Sequence, residues 1–137
     1  MYLAQKCVNS GKKFIVCCPL KAVVDQHCET FKSYFEVLPL SGDYRHHKKD
    51  IFANQVDGFI ATYEMIYQIF LKGSVRSILF SRIGGIVFDE SHLLGTNRGP
   101  IMESTIYLLQ HYYPKIQLVY LSATTGNSKS FAEHLDA

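Results

Sequence analysis

Long apolar runs are missing from these 137 residues. The longest is FIVCC at 14–18, far short of the ~18 apolar residues that make a membrane-spanning helix. No apolar h-region opens the chain, so no secretory signal is read. A large charge of one sign is missing too. Fourteen Lys and Arg face twelve Asp and Glu, a net +2. That balance neither demands nor excludes nucleic acid, so any strand-binding face must be local. There is no CxxC spacing, which argues against a zinc site and against a disulfide framework. The four cysteines, at 7, 17, 18 and 28, read as reduced, buried thiols of an intracellular protein. No internal repeat and no linker divides the chain. What is present is an ordinary globular balance of 47% hydrophobic and 19% charged residues, which excludes a disordered or low-complexity chain. The length fits one domain, able to bury roughly two-thirds of its unfolded surface.

Apolar runs alternate with helical spacing. FIVCC at 14–18 ends at Pro19, and Leu20, Val23, Val24, Cys28 and Phe31 follow at helical intervals over 20–32. EVLPL at 36–40 makes a short strand, with Pro39 placing it at an edge. Residues 41–50 form a polar, basic loop. GFIA at 58–61 is a strand, and a helix over 63–72 buries Met65, Ile66, Ile69 and Phe70. GGIVF at 84–88 is another strand, where Gly84 and Gly85 relieve packing. Pro100 suits the first turn of a helix. That helix runs to about 111, with Ile101, Thr105, Leu108, Leu109 and Tyr112 on one face. IQLVYL at 116–121 is a strand, and 128–135 a last helix. Strands apolar on both faces imply a parallel sheet covered by helices on both sides. The opening helix, 1–10, has no strand before it. Because a doubly wound sheet rarely begins mid-unit, the chain reads as a fragment.

Ligands of open α/β sheets bind outside the carboxyl ends of the strands. Each strand here is followed by polar or conformationally special residues: Pro19-Leu20-Lys21, Ser41-Gly42-Asp43, Thr62-Tyr63-Glu64, Asp89-Glu90-Ser91-His92 and Ser122-Ala123-Thr124. Asp89 and Glu90 are the sharpest pair. Adjacent carboxylates after a buried strand are costly unless something cationic sits there. A first carboxylate can hold Mg2+, usually through water, and a second can polarise the attacking water. The same letters suit a helix N-terminus, where Asp, Glu and Ser are favoured. Ser122 and Thr62 likewise suit helix caps. His27 reads as a helix-face histidine. His46 and His47 read as solvated loop residues, and Arg45, Lys48 and Lys49 as either a strand contact or a solvated charge run.

Taken in order, these segments resemble the first motor domain of a superfamily-two DExH helicase, on the branch of the archaeal repair helicases and the Ski2-like RNA helicases. PLKA at 19–22 resembles motif Ia. SGD at 41–43 and ATYE at 61–64 resemble further nucleic-acid contact motifs. FDESHLLG at 88–95, followed by Arg98-Gly99, resembles motif II, and LSATTGN at 121–127 motif III; FAEHLDA ends as those domains end. HLL after the acidic pair and the intact SAT favour the repair branch, hence single-stranded DNA over RNA. The resemblance implies a three-layer RecA-like α/β domain with a mostly parallel sheet, and ATP and Mg2+ as cofactors. It implies that Asp89 holds the metal, Glu90 positions the attacking water, and His92, Ser122 and Thr124 couple the site to the bound strand. Pro19, Lys21, Gly42, Asp43, Thr62 and Glu64 would line the nucleic-acid side, positioning backbone rather than reading bases.

One departure is large. The family's P-loop, GxxxxGK[ST], is not in these residues; Ser10-Gly11-Lys12-Lys13 lacks the Ser or Thr. The expectation is therefore a partial domain over 1–137, N-terminally truncated before its P-loop and inactive alone. Its partners in the parent would be single-stranded nucleic acid and a second RecA-like domain carrying the arginine fingers. A non-catalytic binding module derived from a helicase domain is the alternative.

Overall fold

The structure is a computed structural model, and it describes residues 1–42, 47–94, 96–97, 99–122 and 133. Among the described residues five strands form one sheet: β1 (Lys13–Cys18), β2 (Val37–Leu40), β3 (Gly58–Thr62), β4 (Ile83–Phe88) and β5 (Gln117–Tyr120). Their order is β2-β3-β1-β4-β5, and every pairing is parallel. Among the described residues they are flanked by the helices α1 (Tyr2–Asn9), α2 (Lys21–Phe31), α3 (Lys48–Ile51), α4 (Tyr63–Phe70), α5 (Gly73–Phe80) and α6 (Gly99–Tyr112).

The side chains of β1 explain the three layers. Successive strand residues point to opposite faces. Phe14, Val16 and Cys18 face α1 and α2, where they join Leu3, Cys7, Val24, Cys28 and Phe31. Ile15 and Cys17 face the other way, into a larger core built with α4, α5 and α6. The adjacent thiols Cys17 and Cys18 thus lie on opposite faces, and all four cysteines are free and buried. Pro39 sits in edge strand β2, opposite Ile60, where its missing N–H costs no ladder bond on a second side.

Gly84 and Gly85 open the central sheet to α1. A Cβ on Gly85 would stand 2.8 Å from the Leu3 side chain, and one on Gly84 would stand 2.9 Å from Lys12 Cβ. The β1–β4 register skips Gly84, passing from Lys13↔Ile83 to Phe14↔Gly85.

Three expectations change. Residues 73–80, where apolar spacing predicts no element, form α5 and bury Val75, Leu79 and Phe80. The inward face of α6 is Met102, Thr105, Ile106 and Leu109, whereas Ile101 is 38% and Tyr112 53% exposed. The apolar arc of the helix is wider than its buried face, so spacing alone did not select that face. The loop at 41–50 is not uniformly solvated. Lys48–Ile51 is a helical turn anchored by fully buried Ile51, and His47 bonds the Ser41 carbonyl at 2.7 Å and Asp50 at 3.2 Å. The helix expected over 128–135 falls outside the described residues except for Glu133.

Candidate functional site

Because all pairings are parallel, the five strand ends lie on one edge of the sheet. The register makes them nearly level: Cys18 is opposite Thr62, Cys17 opposite Phe88, and Phe88 opposite Tyr120. The described residues that follow the strands therefore lie along that one edge.

Asp89 leaves β4 with its N–H still in the sheet, donating to the Cys17 carbonyl at 2.9 Å. Its carboxylate is split between two tasks. Oδ1 accepts the Glu90 N–H at 2.9 Å, and Oδ2 meets His27 Nε2 at 2.8 Å. The Tyr63 hydroxyl donates to the Asp89 carbonyl, and burial raises the Tyr63 pKa, so this donor keeps its proton. Three elements, β4, α2 and α4, thus fix one acidic residue whose side chain is 20% exposed.

Glu90 has φ 56 and ψ 38, the left-handed region that a non-glycine residue enters at a cost. Among the described residues it is the one non-glycine with positive φ. The turn throws its half-exposed carboxylate outward, where Oε2 stands 3.1 Å from His92 Nδ1. Only a three-residue 3-10 turn, Ser91–Leu93, follows, and no side chain caps it. The acidic pair is therefore not the cap of an α-helix; α6 begins at Gly99.

Ser91 is buried and binds across to the next strand. Its N–H and its hydroxyl both donate to the Leu121 carbonyl, at 2.8 and 2.9 Å, while the Leu121 N–H donates to the Phe88 carbonyl at 2.8 Å. These bonds tie the segment after β4 to the end of β5, immediately before half-buried Ser122. In the sequence Ser91 figures only in the alternative reading of these letters as a helix N-terminus, which does not show this link. Thr124 lies outside the described residues.

On the α4 side the strand ends form a cleft of about 400 Å³ lined by Pro19, Leu20, Tyr63, Glu64, Leu93 and Asn97 with the start of α6. Lys21 opens α2 and is exposed, as is Glu64 in the first turn of α4. Thr62 is buried, and its hydroxyl accepts the Met65 N–H at 3.3 Å, so it caps α4. Gly42 turns the chain after β2 at φ 83, a conformation that favours glycine. Asp43 and Arg45 lie outside the described residues. A larger cavity, about 550 Å³, lies between α6 and β5 and is lined by none of the predicted site residues.

The residue that sequence reading misjudged most is His27. It is not a plain helix-face histidine, because α2 delivers its ring to Asp89 at the end of β4. Cys18 lies against the same group. Its thiol is pushed up to about 12 by burial, with Asp89 and Cys28 adding to the rise, so it is protonated near neutral pH.

Residues 1–131 match the family described as DEAD/DEAH box helicase. The chain is 31% identical over 142 residues to the ATP-dependent DNA helicase Hel308 of Pyrococcus abyssi, covering 98% of this chain and 18% of that protein. It is 32% identical over 138 residues to the probable ATP-dependent helicase MJ1401 of Methanocaldococcus jannaschii, covering 95% of this chain and 16% of that one. The chain thus spans under a fifth of the length of these relatives. Among solved structures, the DUF1998 helicase MrfA bound to DNA superposes with a TM-score of 0.71 at 16% identity, covering 97% of this chain and 21% of MrfA. That likeness speaks for the fold.

Proposed function

The chain belongs to the DEAD/DEAH box helicase family as a first RecA-like motor domain, and from that premise we propose that it supplies the hydrolytic half of an ATP-driven translocase on single-stranded nucleic acid. The carrying observation is the Asp89–Glu90 pair: two carboxylates at the end of a central strand, the second held in a left-handed turn with no α-helix to cap. A backbone strained at such a point is characteristic of a working site.

Asp89 is the residue that would hold Mg2+. It offers a hard carboxylate, with Oδ1 fixed by the Glu90 N–H and Oδ2 turned to His27, to a cation that keeps most of its waters and takes its remaining ligands from phosphates. The metal, when bound, neutralises charge on the phosphates. Glu90 is the general base: its carboxylate projects from the turn and accepts a proton from the attacking water. His92 Nδ1, 3.1 Å from Glu90 Oε2, restrains that carboxylate. The Ser91–Leu121 bonds carry any shift of the Glu90 turn to the end of β5 and so to Ser122, which supports a coupling role for Ser122 and Thr124.

Nucleic acid would run over the cleft at Pro19 and Glu64 with Lys21 beside it, and past Gly42 and Asp43. The contacts there are to phosphate and sugar, which position the strand without reading it. The names of the Hel308 relatives favour DNA. The reading includes an intracellular location, and no helix among the described residues is long and apolar enough to cross a membrane. The second RecA-like domain and a P-loop complete the site in the parent, since a nucleoside triphosphate needs P-loop amides and a lysine for its β- and γ-phosphates.

The experiment compares two proteins. The 137-residue chain alone shows no Mg2+-dependent ATP hydrolysis. A protein joining it to a P-loop segment and a second RecA-like domain shows hydrolysis stimulated by single-stranded DNA. Turnover by the chain alone, abolished in Glu90→Gln, overturns the reading that the P-loop is required. A joined, folded protein with no turnover favours the alternative, a non-catalytic module.

A further inference from the structure

Beside the carboxylate assigned to Mg2+, the sheet edge gathers two further donors that the motor reading does not use. One ligand atom each from Cys18, His27 and Asp89 lies within 4.8 Å of the others. They come from three elements, β1, α2 and the end of β4, and two of them are 62 residues apart in the chain. A carboxylate alone would suit Mg2+, but a thiol and an imidazole beside it are a soft and a borderline donor. That combination selects zinc-class cations over hard ones.

We infer that Cys18, His27 and Asp89 form a site for a thiophilic divalent cation of the zinc class, with the fourth position open to water or another ligand. Donors about 2.0–2.3 Å from a tetrahedral zinc stand roughly 3.3–3.7 Å apart. The present arrangement needs only a small adjustment: His27 Nε2 and Asp89 Oδ2, now 2.8 Å apart, separate slightly, and Cys18 closes in. As the S–metal bond forms, the Cys18 S–H bond breaks and its proton leaves to solvent.

Two further features suit a metal. Asp89 Oδ1 is already held by the Glu90 N–H, which fixes the carboxylate and leaves Oδ2 to point at His27, an outer-shell restraint of the kind that metal ligands use. The His27 and Asp89 side chains are 31% and 20% exposed, while Cys18 is fully buried. An ion can therefore enter from solvent and meet the thiol last. Binding rests on this geometry alone. One consequence rests on the proposed role of Asp89: a cation held there takes the carboxylate assigned to Mg2+, so zinc would act as an inhibitor of the parent motor.

The test is a Co2+ titration of the 137-residue chain under reducing conditions, with Zn2+ added afterwards. We expect a thiolate-to-cobalt charge-transfer band and tetrahedral ligand-field bands, both bleached by stoichiometric Zn2+ and unaffected by excess Mg2+. Cys18→Ser removes the charge-transfer band, and His27→Ala and Asp89→Asn each weaken Co2+ binding at least tenfold. Cys7→Ser and Cys28→Ser leave the spectrum unchanged. Circular dichroism checks the fold of each variant, and the half-buried His27 gives a variant outside the core should Cys18→Ser unfold. A folded chain with no charge-transfer band overturns the inference. So does a band that survives Cys18→Ser, or Co2+ affinity indifferent to His27→Ala. None of these outcomes depends on ATP hydrolysis, so the site and the motor reading fail separately.

Discussion

Replacing Glu90 separates its backbone from its carboxylate. At φ 56 and ψ 38 a residue with a Cβ costs about 1–2 kcal/mol relative to the right-handed region. Glycine escapes that cost but loses about 0.5–1 kcal/mol through the freedom of the unfolded chain. Glu90→Gly should therefore be more stable than Glu90→Ala by about 0.5–1 kcal/mol, the difference left when those terms oppose. Both variants lose the half-exposed contact with His92 alike, so that term cancels. In a domain of this size the gain raises Tm by roughly 2–4 °C. The assay is a paired thermal or urea melt of the two variants. Neither should hydrolyse ATP in a complete motor, because neither has a base. A glycine more stable than alanine at this position is what backbone strain stored there produces. If Glu90→Gly melts at or below Glu90→Ala, residue 90 is not in the left-handed region in solution, and the argument from strain falls.

Other perturbations probe the remaining parts of the edge. Thr62→Ala removes the α4 cap and should cost about 0.5–2 kcal/mol of stability, read by urea denaturation; Thr62→Ser should recover most of it. Ser122→Ala with Thr124→Ala, in a complete motor, should reduce unwinding more than hydrolysis, measured by strand displacement against phosphate release; equal losses with a lower Tm would reduce both residues to caps. Lys21→Ala should weaken binding of all single-stranded oligonucleotides alike and flatten the log–log salt slope by about 0.7, the contribution of one phosphate. The paired Lys48→Ala and Lys49→Ala substitutions extend that titration: an unchanged slope would confine the contact to the motif residues.

Much of this architecture could be read before any coordinates, for physical reasons that differ by element. FIVCC has no polar face because helices cover β1 on both sides, so the run itself announced a central parallel strand. Pro39 declared its edge position by lacking a ladder donor. The α5 segment GSVRSILF was silent because Ser and Arg interrupt a short pattern and only Val75, Leu79 and Phe80 turn inward. In α6 the error was about one residue of rotation: Met102 and Ile106 are inside, while Ile101 and Tyr112 are half-exposed. Sequence could place Asp89 and Glu90 at a strand end. It could not show that His27 reaches Asp89, because that contact joins residues 62 apart and depends on how α2 packs on the sheet. Nor does a four-letter motif record φ, so the left-handed turn at Glu90 and the Ser91–Leu121 tie emerge only from the folded chain.

The central claim is that Glu90 is the base for ATP hydrolysis. The most direct measurement sets equilibrium binding of a fluorescent ATP analogue beside steady-state turnover, for Glu90→Gln in a complete motor carrying this domain. The amide keeps the shape of the side chain but does not take the proton of the attacking water. Turnover should fall by about 10²–10⁴-fold while the Kd for the nucleotide changes by less than about threefold. Turnover within about threefold of the parent, with binding intact, would contradict the account and leave Glu90 as a turn residue only.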